Sequence, residues 1–529
     1  MNRFIKLILI STVLLAFSCT DLEDTLEDSV TTQFANDGFS AAGGGAGGGA
    51  LLSSFDRLRA GSATNGGHFS LQEVASDEVA VTQKGGDWFD GGIWIAMHRH
   101  TWDSSLNRVD SAWSDAYAGI GECNTALAGS LDANETAQIK TLRAYFYYRL
   151  LDLFGRVKLI TTSGVDAPQS ERIDVFNFVE SEILGALGIA AVTGSMDLSG
   201  SALNTSIVNT RINQYAALGL LAKLYLNAEV FTATPRYQEA DWAATYILDN
   251  SPYQLCSTGC VAINRAKRPD VDSDPDQLEG YAAVFAPDNE SNPEIIWAIE
   301  YDEVTGGGMN FANMTLHGPS QLTYGLEALP WNGFVVLEEF YNTYDGADLR
   351  RTANFLEGNQ SDFTGSALLD YAADDPDLVI NYTPAINELE PNAIRQGGVR
   401  MGKFSFSLFG RPNMNNDYPI IRLGDIHLVR AEARARFAGD WGLALPDVNA
   451  LRDRAGLAAL SSIDTDGFFD ARGREMFQES SRRQDQIRFG KFQDTWWEKT
   501  NSDDYRTVYP IPQAQIDAAG GSLTQNSGY

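Results

Sequence analysis

The sequence predicts a mainly α protein, and three observations carry that reading. Apolar residues recur at the spacing of one helix face in stretch after stretch. Strand-like runs are few and short. The composition, 44% hydrophobic and 21% charged over 529 residues, is that of a packed globular chain rather than a disordered one. Length alone suggests three or four domains, but only as a soft prior.

The first element is an export signal. Arg3 and Lys6 precede an apolar run at residues 7–17, too short for the ~20 residues a bilayer span needs. The run ends Leu15-Ala16-Phe17-Ser18-Cys19, which resembles a bacterial lipoprotein signal, with cleavage before Cys19 and lipid on its thiol. The other reading is a plain secretory signal with an incidental cysteine. Asp21, Glu23, Asp24, Glu27 and Asp28 follow, similar to a surface-export tether or simply a solvated one. The expected boundaries are signal 1–18, tether 19–30, an N-terminal region 31–235 and a C-terminal region 236–529, the last two forming one globular unit.

Further along, Val109, Trp113, Tyr117 and Ile120 make one helical stripe, and Ile139, Leu142, Phe146, Leu150 and Leu153 a second, with Asn134 and Glu135 at its start. Leu218, Leu221 and Tyr225 continue the pattern, as do Leu423, Ile426 and Val429, then Val448 and Leu451. Helix pairs joined by short loops bury such stripes economically and look like degenerate tetratricopeptide units. Residues 157–161 and 294–299 are the strand-like runs.

The net charge of −31 disfavours nucleic-acid binding, since no basic patch offsets it. Cys256 and Cys260 suit a small disulfide loop in an exported protein, whereas Cys123 sits in a helical pattern and reads as buried. The glycine run at 43–49 lacks the Lys-Ser/Thr of a phosphate loop. Asp270, Asp272, Asp274 and Asp276 alternate like a calcium loop, but Pro275 and Tyr281 replace its turn glycine and bidentate glutamate. No cofactor is expected, with structural Ca²⁺ as the minor alternative.

Several segments together resemble the SusD/RagB family of nutrient-capturing outer-membrane lipoproteins. They are Tyr418-Pro-Ile-Ile-Arg422 continuing to Ala433, Asp447-Val-Asn-Ala-Leu451 continuing to Leu457, Arg474-Glu-Met-Phe-Gln-Glu479, Ile487-Arg-Phe-Gly490, and Tyr509-Pro-Ile-Pro512 with Gln525-Asn-Ser-Gly-Tyr529. Leu142-Arg-Ala-Tyr145 onward to Gly155, and Ser76-Asp77-Glu78, extend the likeness into the N-terminal half. Ser480-Ser481-Arg482-Arg483 departs from the family's usual glycine-histidine version. The resemblance implies a SusD-like helical fold and a cell-surface lipoprotein of the outer membrane. It also implies capture of oligosaccharide for a SusC-like TonB-dependent transporter, without catalysis. Peptide capture of the RagB kind is the alternative, and a secreted glycoside hydrolase a more distant one.

The residues nominate a ligand site. Gly85-Gly86-Asp87-Trp88-Phe89-Asp90-Gly91-Gly92-Ile93-Trp94 combines flat rings, which stack on the apolar face of a sugar, with carboxylates that accept from its hydroxyls. Trp94, like Trp102, could equally be a core anchor, and His98 and His100 read as structural. His317, Tyr324 and Trp331 lie in a Gly/Pro-punctuated region, and Arg395 and Arg400 in another loop, the usual location of binding residues. The expected ligand set is Asp77, Asp87, Trp88, Trp94, His317, Tyr324, Trp331 and Arg395. Glu338 and Glu339 diverge by about 100° on a helix and so do not flank one glycosidic bond.

Overall fold

The computed structural model describes residues 48–267, 276–305, 307–375 and 377–529. The export signal, Cys19, the 19–30 tether, residues 43–47 of the glycine run, and Asp270, Asp272 and Asp274 lie outside the described residues. Among the described residues the chain is mainly α, with nineteen α-helices and six small two-stranded sheets. No helix among them is long and apolar enough to cross a membrane.

The helix Ala133–Leu153 is the centre of the N-terminal half. Its start is fixed by a capping box: the Asp132 carboxylate accepts from the Glu135 amide, and the Glu135 carboxylate accepts from the Asp132 amide. Asn134, read above as part of the start signal, instead accepts from the Asn204 amide. From Ala137 onward nearly every side chain is buried, so this helix is enclosed on all sides rather than along one stripe. It packs between Asn107–Leu127 and Arg172–Leu187. Gln214–Leu226 packs on Tyr237–Asn250, which packs in turn on Leu423–Ala438. These stacked helices are the scaffold that the sequence stripes anticipate.

The strand-like run at 294–299 forms the strand Ile295–Ile299, paired antiparallel with Tyr418–Arg422. The run at 157–161 contributes only Val157–Lys158 to a sheet, paired with Gln169–Ser170. Val79–Val81 pairs antiparallel with Phe334–Val336, which brings two distant loop regions side by side. Cys256 and Cys260 are bridged, with Cα atoms 5.2 Å apart. Cys123 is buried, and burial pushes its thiol up to about 12.

The C-terminal motif residues meet in a buried ionic lattice. Arg422 contacts Glu294 at 2.9 Å, Glu475 at 2.7 Å and Glu479 at 2.6 Å. Arg454 pairs with Glu294 at 2.6 Å and also with Glu475, while Arg350 reaches Glu475 at 3.1 Å. Burial opposes the Glu475 carboxylate, but Arg454, Arg422 and Arg350 outweigh it and hold its pKa well below the usual range. Removing one member of such a lattice leaves an uncompensated buried charge, at a cost of about 3–5 kcal/mol. The C-terminal residues return to the central helix: Asn526 Nδ2 donates to the Phe154 and Tyr509 carbonyls.

Candidate functional site

The pairing of Val79–Val81 with Phe334–Val336 sets the site, because Trp88 follows the first strand and Trp331 precedes the second. Three backbone hydrogen bonds hold the second loop, from Trp331, Asn332 and Gly333 to the carbonyls of Asn313, Leu316 and Met314. Beneath it, the buried Lys84 ammonium donates to the Asn332 and Gly333 carbonyls, at 3.0 Å each. Burial lowers the Lys84 pKa well below its ordinary value. Arg400 donates to the Asn332 side chain at 2.9 Å, and Asn332 Nδ2 donates to the Arg395 carbonyl at 3.2 Å.

On this support lies an aromatic wall. The rings of Trp88 and Trp331 sit 5.4 Å apart, with Trp94 5.3 Å from Trp88, and Phe334 seated edge-on to Trp88 at 5.6 Å. Trp331 is 38% exposed, Trp88 is half-buried and Phe89 is exposed. Gly333 permits this closeness: a Cβ there would stand 2.8 Å from the Trp88 ring. Trp88 itself adopts φ 55° and Asp90 φ 45°, so the loop turns through the left-handed region, where Gly91 and Gly92 also lie. The glycines of this loop therefore serve its left-handed turns, and Trp88 carries backbone strain of about 1–3 kcal/mol.

A polar rim borders the wall. Arg395 Nη1 lies 2.6 Å from Asp87 Oδ2, and its Nε lies 3.2 Å from Asp370 Oδ2. His317 Nε2 approaches the same Asp370 oxygen at 3.2 Å. Burial lowers the His317 pKa below its ordinary value, against the pull of Asp370. Burial works against the Asp370 carboxylate, but His317 and Arg395 more than offset it and hold it down at about 2. That is opposite to the raised pKa a glycosidic general acid requires. Flat rings beside an ion pair suit stacking on a sugar face while Arg395 donates to hydroxyls and Asp87 accepts from them.

Of the residues nominated by sequence, Asp87, Trp88, Trp331 and Arg395 converge at this surface. Trp94 is 1% exposed and His317 is fully buried, so both support the surface from below and are corrected from ligand contacts to props. Trp94 also donates to Asp90 at 2.9 Å. Tyr324 is buried against Phe406 and lines a separate cavity of about 270 Å³ with Leu356 and Lys403. Asp77 is held by Arg482 Nε and Nη2, at 2.7 and 2.8 Å, beside another cavity lined by Phe469 and Trp496. The polar Ser480–Arg483 stretch thus has a structural use, since Arg483 likewise binds Asp152 at 3.0 Å. His98 and His100 are buried and bonded to the Trp497 and Ala75 carbonyls. Lys84, Asn332, Phe334 and Asp370 were missed by sequence reasoning; no spacing links them to the tryptophans.

Comparison with known proteins places these features in context. Residues 293–529 match the SusD family. The starch-binding protein SusD of Bacteroides thetaiotaomicron is 26% identical, over 87% of this chain and 85% of its own. A SusD-like protein of Formosa agariphila is 24% identical, over 80% of each chain. The fold is similar to that of a laminarin-binding SusD-like protein, with TM-score 0.65 and 22% identity over 91% of this chain and 99% of the other. It is also similar to surface glycan-binding protein A of Bacteroides thetaiotaomicron in complex with laminarihexaose, with TM-score 0.65 and 20% identity over 90% and 98% of the two chains.

Proposed function

We propose that the protein, whose residues 293–529 match the SusD family, is a non-catalytic, cell-surface glycan-binding lipoprotein. It captures oligosaccharides and passes them to a SusC-like TonB-dependent transporter of the outer membrane. The observation that carries the reading is the wall of Trp88 and Trp331, rimmed by the Arg395–Asp87 pair. Stacking accepts many sugars, so the relatives named for starch and laminarin supply the glycans to try first. Cys19, carrying lipid, is the anchor, and the acidic residues behind it are the surface-export tether. More than one acyl chain is needed for a stable hold on the membrane.

The test is calorimetry and affinity electrophoresis of the soluble chain against malto- and laminari-oligosaccharides, with reducing-sugar release measured in parallel. Binding to at least one series without release of new reducing ends is the expected result. Binding only to peptides, or release of reducing ends, overturns the proposal. Co-purification of a transporter from native membranes tests the partner.

A further inference from the structure

Away from the aromatic wall, a cavity of about 40 Å³ lies where the central helix meets Gln214–Leu226 and the strand Tyr418–Arg422. Its charged and polar lining includes Ser62, His68, Arg149, Lys223, Arg472 and Glu479. Arg149 is 2% exposed. It donates from Nη1 to the Ser62 hydroxyl at 3.2 Å, while its Nε and Nη2 have no hydrogen-bond partner and it makes no ion pair among the described residues. Such a guanidinium is costly to bury, because two of its donor groups are unanswered by protein and its charge meets the Asp115 carboxylate without a direct ion pair.

Of the carboxylates nearby, Asp115 interacts with Arg149 through charge alone, without an ion pair or hydrogen bond between them, and the others are committed elsewhere. Glu479 is bound by Arg422 and Lys403. Asp425 is shared by Lys223 at 2.9 Å and Arg472 at 3.1 Å, and Asp485 takes Arg472 Nε at 2.7 Å. Arg472 Nη1, also in this lining, is left without a partner. The local potential is positive: beyond burial, Arg149, Arg483 and Lys223 all depress the His68 imidazole, leaving it neutral. One water needs about 10–15 Å³ of such space, so the cavity has room for a halide-sized anion and a water.

We propose that this cavity is a binding site for a small inorganic monoanion of the halide class, held by Arg149 Nε and Nη2. The anion neutralises the buried guanidinium and cross-links the central helix to the Ser62 turn. Chloride is the natural occupant in salt-containing medium.

The probe is bromide. Crystals of the folded chain soaked in sodium bromide and measured at the bromine edge should show an anomalous peak within hydrogen-bonding range of Arg149 Nε and Nη2. In parallel, the melting temperature should rise saturably with sodium chloride and not with sodium gluconate of equal ionic strength. Arg149→Met should abolish both the peak and the chloride-specific rise. If that variant does not fold, the wild-type map decides alone. Only water density in the cavity, bromide only at exposed surface positions, or melting that follows ionic strength regardless of the anion overturns the proposal.

Discussion

Replacing Trp331 by alanine is the sharpest probe of the aromatic wall, because this ring is open to solvent yet supported from behind. About 38% of its surface is exposed, and Trp88 backs it at 5.4 Å. A buried tryptophan covers up to about 250 Å², so the open part is roughly 95 Å². A sugar ring that covers half of it, and buries a similar area of its own C–H face, removes roughly 100 Å² from water. At about 25 cal/mol/Å² this is worth ~2.5 kcal/mol. Ordering of ligand and loop takes back part of that gain. A net loss of about 1–2 kcal/mol remains for Trp331→Ala, close to ten-fold in Kd. Stability should change little, since the side chain is not a core residue. Isothermal titration with the best-binding oligosaccharide gives the first quantity and thermal melting the second. Unchanged affinity in a variant that melts like the wild type would refute the stacking argument and move the ligand elsewhere on the surface.

Trp88→Ala should lower both quantities, glycan affinity by about ten-fold and stability by roughly 1–3 kcal/mol, because its ring is half-buried among Trp94, Trp331 and Phe334; denaturant unfolding beside titration separates the two losses. Burial raises the Glu73 carboxyl from 4.5 to about 7, so the native state keeps a proton that the unfolded chain releases; this contribution is complete below about pH 4.5 and is lost as pH rises through 7. Glu73→Gln should therefore exceed the wild type in stability at pH 8 by about 1–3 kcal/mol, with the gap closing by pH 5, and pH-resolved urea melts check it. Glu475→Ala should destabilise by about 3–5 kcal/mol, since it leaves Arg422, Arg454 and Arg350 short of a counter-charge; a loss under 1 kcal/mol would contradict the lattice. Cys19→Ala should release the protein from the membrane fraction, and undiminished membrane association of that variant would remove the lipid-anchor proposal.

How much was legible in the sequence differs between scaffold and site. The stripe at Val109, Trp113, Tyr117 and Ile120 foretold Asn107–Leu127, because helix periodicity is a local property of neighbouring residues. The motif around Arg422, Arg454, Glu475 and Glu479 was legible as a resemblance, yet its purpose, a buried ionic lattice, was not. Charge type is written in the chain, but pairing depends on which elements meet.

The sequence by itself determined the helical scaffold and the residue types able to hold a sugar. Tertiary structure alone decided which of those residues share a surface. Trp88 and Trp331 are more than two hundred residues apart and meet through the pairing of Val79–Val81 with Phe334–Val336. The same packing put Trp94 and His317 beneath the wall, turned Asp77 toward Arg482, and enclosed Tyr324 against Phe406. The reason is physical: an aromatic ring or a carboxylate has the same local signature on a surface as in a core. Only the strand register and the helices behind it determine whether its face meets water or protein.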